Sequence, residues 1–411
     1  MVAALKISVI GGSSYYTPGL IEALNDSGLV LDLVLNGRDR EKLEQVGKVC
    51  QRLACERIKI TWTTDRKASL ADVDYVLLQV RIGGMTGRAH DERFPLKYGI
   101  IGEETIVPGG ASLAARTIPY LKELAKELKE VAPRAKVLAL TNPNNMVIDY
   151  FNRYTDIEAI GFCDLPTSLL RGVVEAHAGE KKTITEIWPE ISFNYYGINH
   201  LAFLNNIFYQ GQAVDLEAIA PKLGLDPRLV QTLGLLPVSY LRYYYFTSSI
   251  WQKAQTGPTR GEILEAKEAD LKKEYQAADG KKPAGLKERP VPWYGDVIIP
   301  YLKATKTQGK AIIVTENKGA LSDLRPDSVA ELPVIITKGK VERLYQGSLP
   351  AIIRGLVVSV SESERLIVDG LANESKKQFM QGLLAHPLIR ELDKAIAVLQ
   401  EIKEINNIAW L

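Results

Sequence analysis

The sequence predicts an α/β chain: a doubly wound parallel sheet in its first part, then a second part of α+β character. Three observations carry this reading. Short β-branched runs alternate with amphipathic helical patterns over about the first 165 residues, glycines directly follow the first apolar run, and beyond that point the alternation lapses. With 411 residues, two or three domains are expected. Apolar residues make up 46% and charged residues 24%, which excludes a disordered chain, a collagen-like fibre and a disulfide scaffold. The 51 basic and 49 acidic residues leave +2, too little for a sequence-independent grip on nucleic acid or an anionic membrane. Three cysteines without framework spacing point to a reduced, cytoplasmic setting.

The first strand is expected over Lys6–Gly11, since Lys6 interrupts the apolar stretch and no cleavage site follows, unlike a signal peptide. Further strands are expected at Leu31–Asn36, Lys59–Thr64, Tyr75–Arg81, Lys136–Asn142 and Glu158–Cys163, with amphipathic helices over Asp39–Cys55 and Ala114–Val131. This domain is placed at residues 1–165, and a second at 166–411. There, Ile191–Tyr196 and Phe203–Ala213 read as strands, and Val238–Gln255 and Arg260–Ala278 as long helices. Asp279–Pro292, rich in Lys, Pro and Gly, reads as a mobile surface segment or lid. Strands near Ala311–Asn317 and Glu331–Thr337 precede a mostly helical tail from about Leu349. The longest uncharged run, Ile191 to Val214, holds too many Asn, Gln and His residues to cross a bilayer.

Gly11-Gly12-Ser13-Ser14-Tyr15-Tyr16-Thr17-Pro18 follows the first strand. Glycines there let the backbone approach a pyrophosphate, and Thr17 with Pro18 is expected to cap the next helix, pointing free N–H groups at an anion. This reads as a Rossmann-type dinucleotide turn, although Ser13 breaks the full G-x-G-x-x-G. The second strand ends Leu35-Asn36-Gly37-Arg38-Asp39, without the acid that holds the adenosine ribose of NAD. Either Asn36 and backbone groups hold that ribose, or Arg38 receives a 2′-phosphate, or Arg38 is a solvated loop charge. NAD is the expected cofactor and NADP the alternative.

Cys163 ends a predicted strand in Gly161-Phe162-Cys163-Asp164-Leu165-Pro166, where open α/β sheets bind ligands. Its plain alternative is a small buried hydrophobe, and Asp164 has one too, as a helix cap. His200, in Tyr196-Gly197-Ile198-Asn199-His200, is on its own a structural histidine or a ligand. A thiolate and an imidazole brought together suit a divalent transition metal such as manganese.

An ordered series of segments resembles glycoside hydrolase family 4, the NAD- and metal-dependent glycosidases. The series runs from Gly11–Pro18 through Pro95–Gly102 with Glu104-Thr105, Thr141-Asn142-Pro143 and Cys163–Pro166. It continues through Tyr196–Leu201 and Tyr240–Tyr244 to Asn317-Lys318-Gly319 and His386-Pro387-Leu388, nearly the whole chain. The resemblance implies chemistry outside the two-carboxylate scheme. NAD⁺ oxidises C3 of the sugar, a tyrosine removes the C2 proton, the glycosidic oxygen leaves C1, water adds and the hydride returns. A divalent cation, usually Mn²⁺, holds the C2 and C3 oxygens. It further implies Cys163 and His200 as metal ligands, Tyr240 as the base, and Asp164 as an acid assisting departure. Asn142, Arg88, Glu104 and Arg260 are implied at the substrate, and Gly11, Gly12, Ser13, Ser14, Tyr16 and Arg38 at the cofactor.

Cys163-Asp164-Leu165-Pro166 resembles the members that hydrolyse 6-phosphoglycosides, so the implied partner is a small phosphorylated glycoside rather than nucleic acid or membrane. Asp164 resembles α-specific members; the chain length, Pro95–Gly102 and Tyr240–Tyr244 resemble the β-specific ones, and 6-phospho-β-glucosidase is the favoured expectation, with 6-phospho-α-glucosidase the alternative. The family resemblance also implies a homo-oligomer, a dimer or tetramer. Two rival readings have different cues. Thr141-Asn142-Pro143 is also similar to malate and lactate dehydrogenases, where the catalytic histidine would have to be His177; a sugar-phosphate sensor without turnover would have lost the Cys163, His200 and Tyr240 set, which is intact.

Overall fold

A computed structural model describes residues 4–278 and 280–411. Thirteen strands are formed among them. In chain order they are β1 (Leu5–Ile10), β2 (Leu31–Asn36), β3 (Ile58–Thr63), β4 (Tyr75–Leu78), β5 (Lys136–Ala139), β6 (Ala159–Gly161), β7 (Ile191–Ile198), β8 (Leu201–Tyr209), β9 (Gln212–Ala213), β10 (Leu236–Pro237), β11 (Gln308–Glu316), β12 (Val329–Thr337) and β13 (Lys340–Arg343). The six strands expected in the first part are all present, most of them shorter at their carboxyl ends. They pair in parallel in the order β3-β2-β1-β4-β5-β6, the order of a dinucleotide-binding sheet.

Alternating side chains of this sheet feed two separate cores, which is why its strands read as continuous apolar runs. Val9, Leu33, Leu77, Leu138 and Ile160 pack on one face with Leu20, Ile21, Leu43 and Val46 from helices Thr17–Asn25 and Arg40–Leu53. Ile10, Val76, Leu78, Val137 and Ala139 pack on the other with helices Gly109–Val131 and Asn144–Tyr154. Helices Lys376–Ala385 and Leu392–Asn406 of the tail return to that second face.

The sheet does not stop at β6. Strand β11 pairs antiparallel with β6, and β12 and β13 follow antiparallel, giving nine strands drawn from both sides of residue 165. Strands β7, β8, β9 and β10 form a separate antiparallel sheet. The expected strand Phe203–Ala213 is two strands, because Gln210 and Gly211 take positive φ and turn the chain.

Two further expectations are corrected. Thr17 does not cap the first helix: Tyr16 occupies that position without a side-chain bond, and the Thr17 hydroxyl instead accepts from Gln79 Nε2 (3.2 Å). Val238–Gln255 is not one helix but the short pieces Ser239–Leu241, Arg242–Tyr245 and Thr247–Ala254. Its aromatic side chains must go different ways, Tyr240 onto His200, Tyr244 towards His386 and Trp251 to the Leu96 carbonyl. Of the expected surface segment, Asp279 lies outside the described residues, and most of the rest lies on the surface with a few contacts to its neighbours. Lys282 pairs with Glu22, the Gly285 amide donates to Glu274 (2.9 Å), and a short 3-10 turn covers Ala284–Glu288. Among the described residues, no helix is long and apolar enough to cross a membrane.

Candidate active site

A cavity of about 540 Å³ opens at the carboxyl ends of β1, β4, β5 and β6, the place a doubly wound sheet offers a ligand. Gly11 turns the chain out of β1 at φ 91°, where a Cβ would lie 2.8 Å from the Gln79 carbonyl oxygen. Ser13, Ser14 and Tyr16 follow it along the cavity wall; Gly12 is packed behind, its amide donating to the Asn36 carbonyl (2.8 Å). Asn36 and Arg38, from the end of β2, also line the wall.

Deeper in, Asn142 after β5, and Cys163 and Asp164 after β6, meet His200 and Tyr240 from the second part. His200 sits in the two-residue turn of the β7–β8 hairpin, at φ 65°, a conformation histidine tolerates better than most residues. Its ring stacks on Tyr240 with centroids 4.1 Å apart. The Thr105 hydroxyl donates to Glu103 Oε2 (2.6 Å), so its oxygen accepts from His200 Nδ1 (2.9 Å). That assignment leaves Nε2 as a bare lone pair. Burial drops the imidazole to about pKa 4, which keeps it neutral.

Cys163 is half-buried, and its thiol is pushed well above its ordinary value by burial, then by Glu331 and Asp164; the Asn199 side chain and the Leu165 amide pull the other way. Asn199 is itself fixed, its Nδ2 donating to Glu331 Oε1 (2.9 Å) and its backbone amide to Asn145 Oδ1 (3.0 Å). The Tyr195 hydroxyl closes the same carboxylate. Asp164 stands at the start of helix Leu165–Ala178 but makes no side-chain capping bond; its carboxyl faces the cavity, and burial raises its pKa.

Glu104 is buried and pairs with both Arg81 and Arg88 (2.8 Å to Arg88). Although burial works against it, those two guanidinium groups hold its carboxyl below the ordinary value. Glu92 braces Arg88 (2.7 Å) and accepts from the Gly261 amide (2.7 Å). Arg260, one residue earlier, is exposed and does not line the cavity. Tyr240 is pushed well above its ordinary value by burial, then by Glu103 and Glu104. His177 is remote from the cavity lining and lies edge-on to Tyr209.

The donor chemistry fits a divalent cation that is shared with a ligand. Among the described residues no three His, Cys, Asp or Glu side chains gather as a metal cage. One thiol and one neutral imidazole with its second nitrogen occupied offer two bonds, leaving the remaining positions to oxygens from outside the chain.

Comparison with known proteins agrees with this arrangement. The model of the family 4 glycosyl hydrolases matches residues 6–178, and that of their C-terminal domain matches residues 195–389. The chain belongs to glycosyl hydrolase family 4. The 6-phospho-beta-glucosidase BglT of Thermotoga maritima is 30% identical over 98% of this chain and 99% of its own. A phospho-alpha-glucosidase, PagL, of Clostridium acetobutylicum is 27% identical over 98% of each chain. The solved 6-phospho-beta glucosidase from Thermotoga maritima, with manganese, NAD⁺ and glucose-6-phosphate, superposes with a TM-score of 0.89 at 29% identity, covering 98% of both chains. A Cryptosporidium parvum malate dehydrogenase shares the fold (TM-score 0.51, 14% identity, 91% of this chain and 100% of that one), in line with the expected dehydrogenase-like architecture.

The residues around the site that the sequence did not single out are Arg81, Glu103, Thr105, Asn199 and Glu331. For Glu331 a signal was present: an acid inside the otherwise apolar run of β12, buried on both sides.

Proposed function

We propose that this family 4 member hydrolyses 6-phosphoglucosides, with the β anomer favoured. The observation that supports it most is the single cavity uniting the glycine turn with Cys163, His200 and Tyr240. In this reading residues 1–165 bind the dinucleotide and also supply Arg88, Glu104, Asn142, Cys163 and Asp164, while 166–411 add His200 and Tyr240 to the substrate and metal site. Cys163 and His200 hold the divalent cation. When bound, dinucleotide and cation supply a reversible oxidation at C3 and the charge stabilisation that makes the C2 proton acidic.

The chain's own residues do the rest. Tyr240 accepts the C2 proton. Among Glu103 and Glu104 its phenol holds its own proton tightly, so it becomes a base only when positive charge arrives beside His200, on which its ring is stacked. Asp164, its carboxyl uncommitted and its pKa raised, donates to the departing glycosidic oxygen. Asn142 and the braced Arg88–Glu104 pair orient sugar hydroxyls. Five cationic side chains line the cavity (Arg38, Lys42, Arg81, Arg88, Arg289) against three acidic ones (Glu104, Asp164, Glu268), an excess that suits phosphorylated ligands, dinucleotide and substrate together. Arg260 reaches the substrate only if the start of its helix moves inwards.

The α anomer is the second reading, favoured by the identity of Asp164. A homo-oligomer in the cytoplasm belongs to the same proposal, and light scattering reads the oligomer directly. The deciding experiment offers the reduced protein, with Mn²⁺ and NAD⁺, the p-nitrophenyl α- and β-glucoside 6-phosphates and their unphosphorylated forms. Turnover of phosphorylated substrates alone, β faster than α, abolished by chelator and slowed by deuterium at C2, is expected. Full-rate turnover with C2 deuterium retained rejects the elimination route.

A further inference from the structure

We infer that the adenosine end of the cavity accepts a 2′-phosphorylated nicotinamide dinucleotide, with Arg38 as the residue that recognises the extra phosphate. This rests on the family reading only in that the cavity binds a nicotinamide dinucleotide at all. A sheet of this order places the adenosine ribose at the tip of β2, where an acid binds the free 2′-hydroxyl and a nearby arginine accommodates a 2′-phosphate.

Here the tip is Asn36, and its side-chain Nδ2 is spent on the Thr63 carbonyl (2.9 Å). Gly37 follows, so close to the first turn that a Cβ would lie 2.5 Å from Ser13 Cβ and Oγ; the two loops form one wall. Arg38 then lines the cavity, exposed, with no hydrogen bond or ion pair from its guanidinium among the described residues. Lys42, one helical turn on, holds its Nζ 3.9 Å above the centre of the Tyr15 ring and likewise has no carboxylate partner there. Arg289 lies over Tyr16 (4.5 Å) and Trp293 (5.8 Å), again without an ion pair. The acids nearby do not cancel this. Asp39 caps the helix through the Lys42 amide (3.0 Å), Glu41 accepts from Gln45, and of the acids at this end only Glu268 lines the cavity.

Arg38 is exposed and Lys42 and Arg289 are half-buried, and with no ion pair among the described residues all three are free to meet an anion that a ligand brings. The dinucleotide pyrophosphate belongs at the glycine turn, which leaves the charges at the β2 tip for a second phosphate.

The test is equilibrium binding of NAD⁺ and NADP⁺ to the metal-free protein by calorimetry, which needs no turnover. NADP⁺ is expected to bind at least as tightly as NAD⁺. Arg38→Ala, a surface change that leaves the fold intact, is expected to weaken NADP⁺ about tenfold more than NAD⁺, the worth of one charged hydrogen bond. Asn36→Asp, which restores the acid, is expected to shift the preference towards NAD⁺. NADP⁺ binding weaker than NAD⁺, or equal losses of both in Arg38→Ala, overturns the inference while leaving the dinucleotide reading intact; no binding of either overturns both.

Discussion

Replacing Thr105 by valine isolates one atom of the site. Valine has the shape of threonine, so packing is kept and only the hydroxyl is lost. That hydroxyl joins Glu103 Oε2 (2.6 Å) to His200 Nδ1 (2.9 Å). Glu103 still keeps the backbone amides of Thr105 (2.6 Å) and Ile106 (3.1 Å), so its loss is small. His200 loses its only partner at Nδ1, and an orphaned buried N–H costs about 1–3 kcal/mol. The imidazole escapes that cost by moving its proton to Nε2, which removes the lone pair intended for the cation. Loss of such a supporting hydrogen bond lowers metal affinity by about 10- to 100-fold. The assay is titration of the metal-free protein with Mn²⁺, reading free Mn²⁺ by its spin resonance signal, with thermal unfolding measured alongside. Thr105→Ser restores the hydroxyl and should restore affinity. Mn²⁺ affinity within twofold of the parent, or equal losses in Ser and Val, refutes the reasoning.

The same chemistry yields further expectations. Burial keeps the Cys163 thiol protonated without metal, so cation binding must expel that proton and tighten by about tenfold per pH unit; equal affinity at pH 6 and pH 8 removes the thiolate from the ligand set. Asp164→Asn should slow hydrolysis of a methyl glucoside 6-phosphate by about 10²–10⁴ and the p-nitrophenyl compound much less, because only the poor leaving group needs its proton; equal losses would assign Asp164 elsewhere. Glu364 is half-buried with Asn145 as its donor (3.0 Å), and desolvation pushes its pKa up to about 8 from 4.5. The folded chain therefore holds a proton that the unfolded chain releases, so stability falls as pH rises through that window, by at most about 1.4 kcal/mol per unit. Glu364→Gln should flatten the slope of denaturation midpoints between pH 5 and pH 8, and an unchanged slope would show that Glu364 titrates normally.

Much of the fold was legible because the inner strands of the parallel sheet are buried on both faces and so write short, mostly apolar runs, while the edge strand β3 alternates. Boundaries failed where side chains obey tertiary demands: Val238–Gln255 has helical spacing, yet its aromatic rings need three different pockets, and the chain breaks at Phe246 to reach them. The parts of the site on strand ends, Gly11, Asn142 and Cys163, were readable from position alone. Thr105 and Asn199 were not, since a threonine or an asparagine carries no local sign of which distant group it will support.

Glu331 shows how the extended sheet builds the site. In the register of the sheet, Gly161 of β6 faces Val314 of β11, and Val314 faces Glu331 of β12, one row across three strands. Cys163 lies two residues beyond that row. The antiparallel strands added after β6 thus deliver a buried carboxylate to the thiol's side of the sheet, where it grips Asn199 and Tyr195 from the neighbouring hairpin. That hairpin carries His200 at its turn. One carboxylate therefore ties the strand end that bears one proposed ligand to the hairpin that bears the other. Without β11 and β12, the first six strands would present Cys163 at the sheet's edge, and the hairpin turn that bears His200 would keep only its bonds to Thr105 and Asn145. The extension is part of the site's construction as much as of the fold.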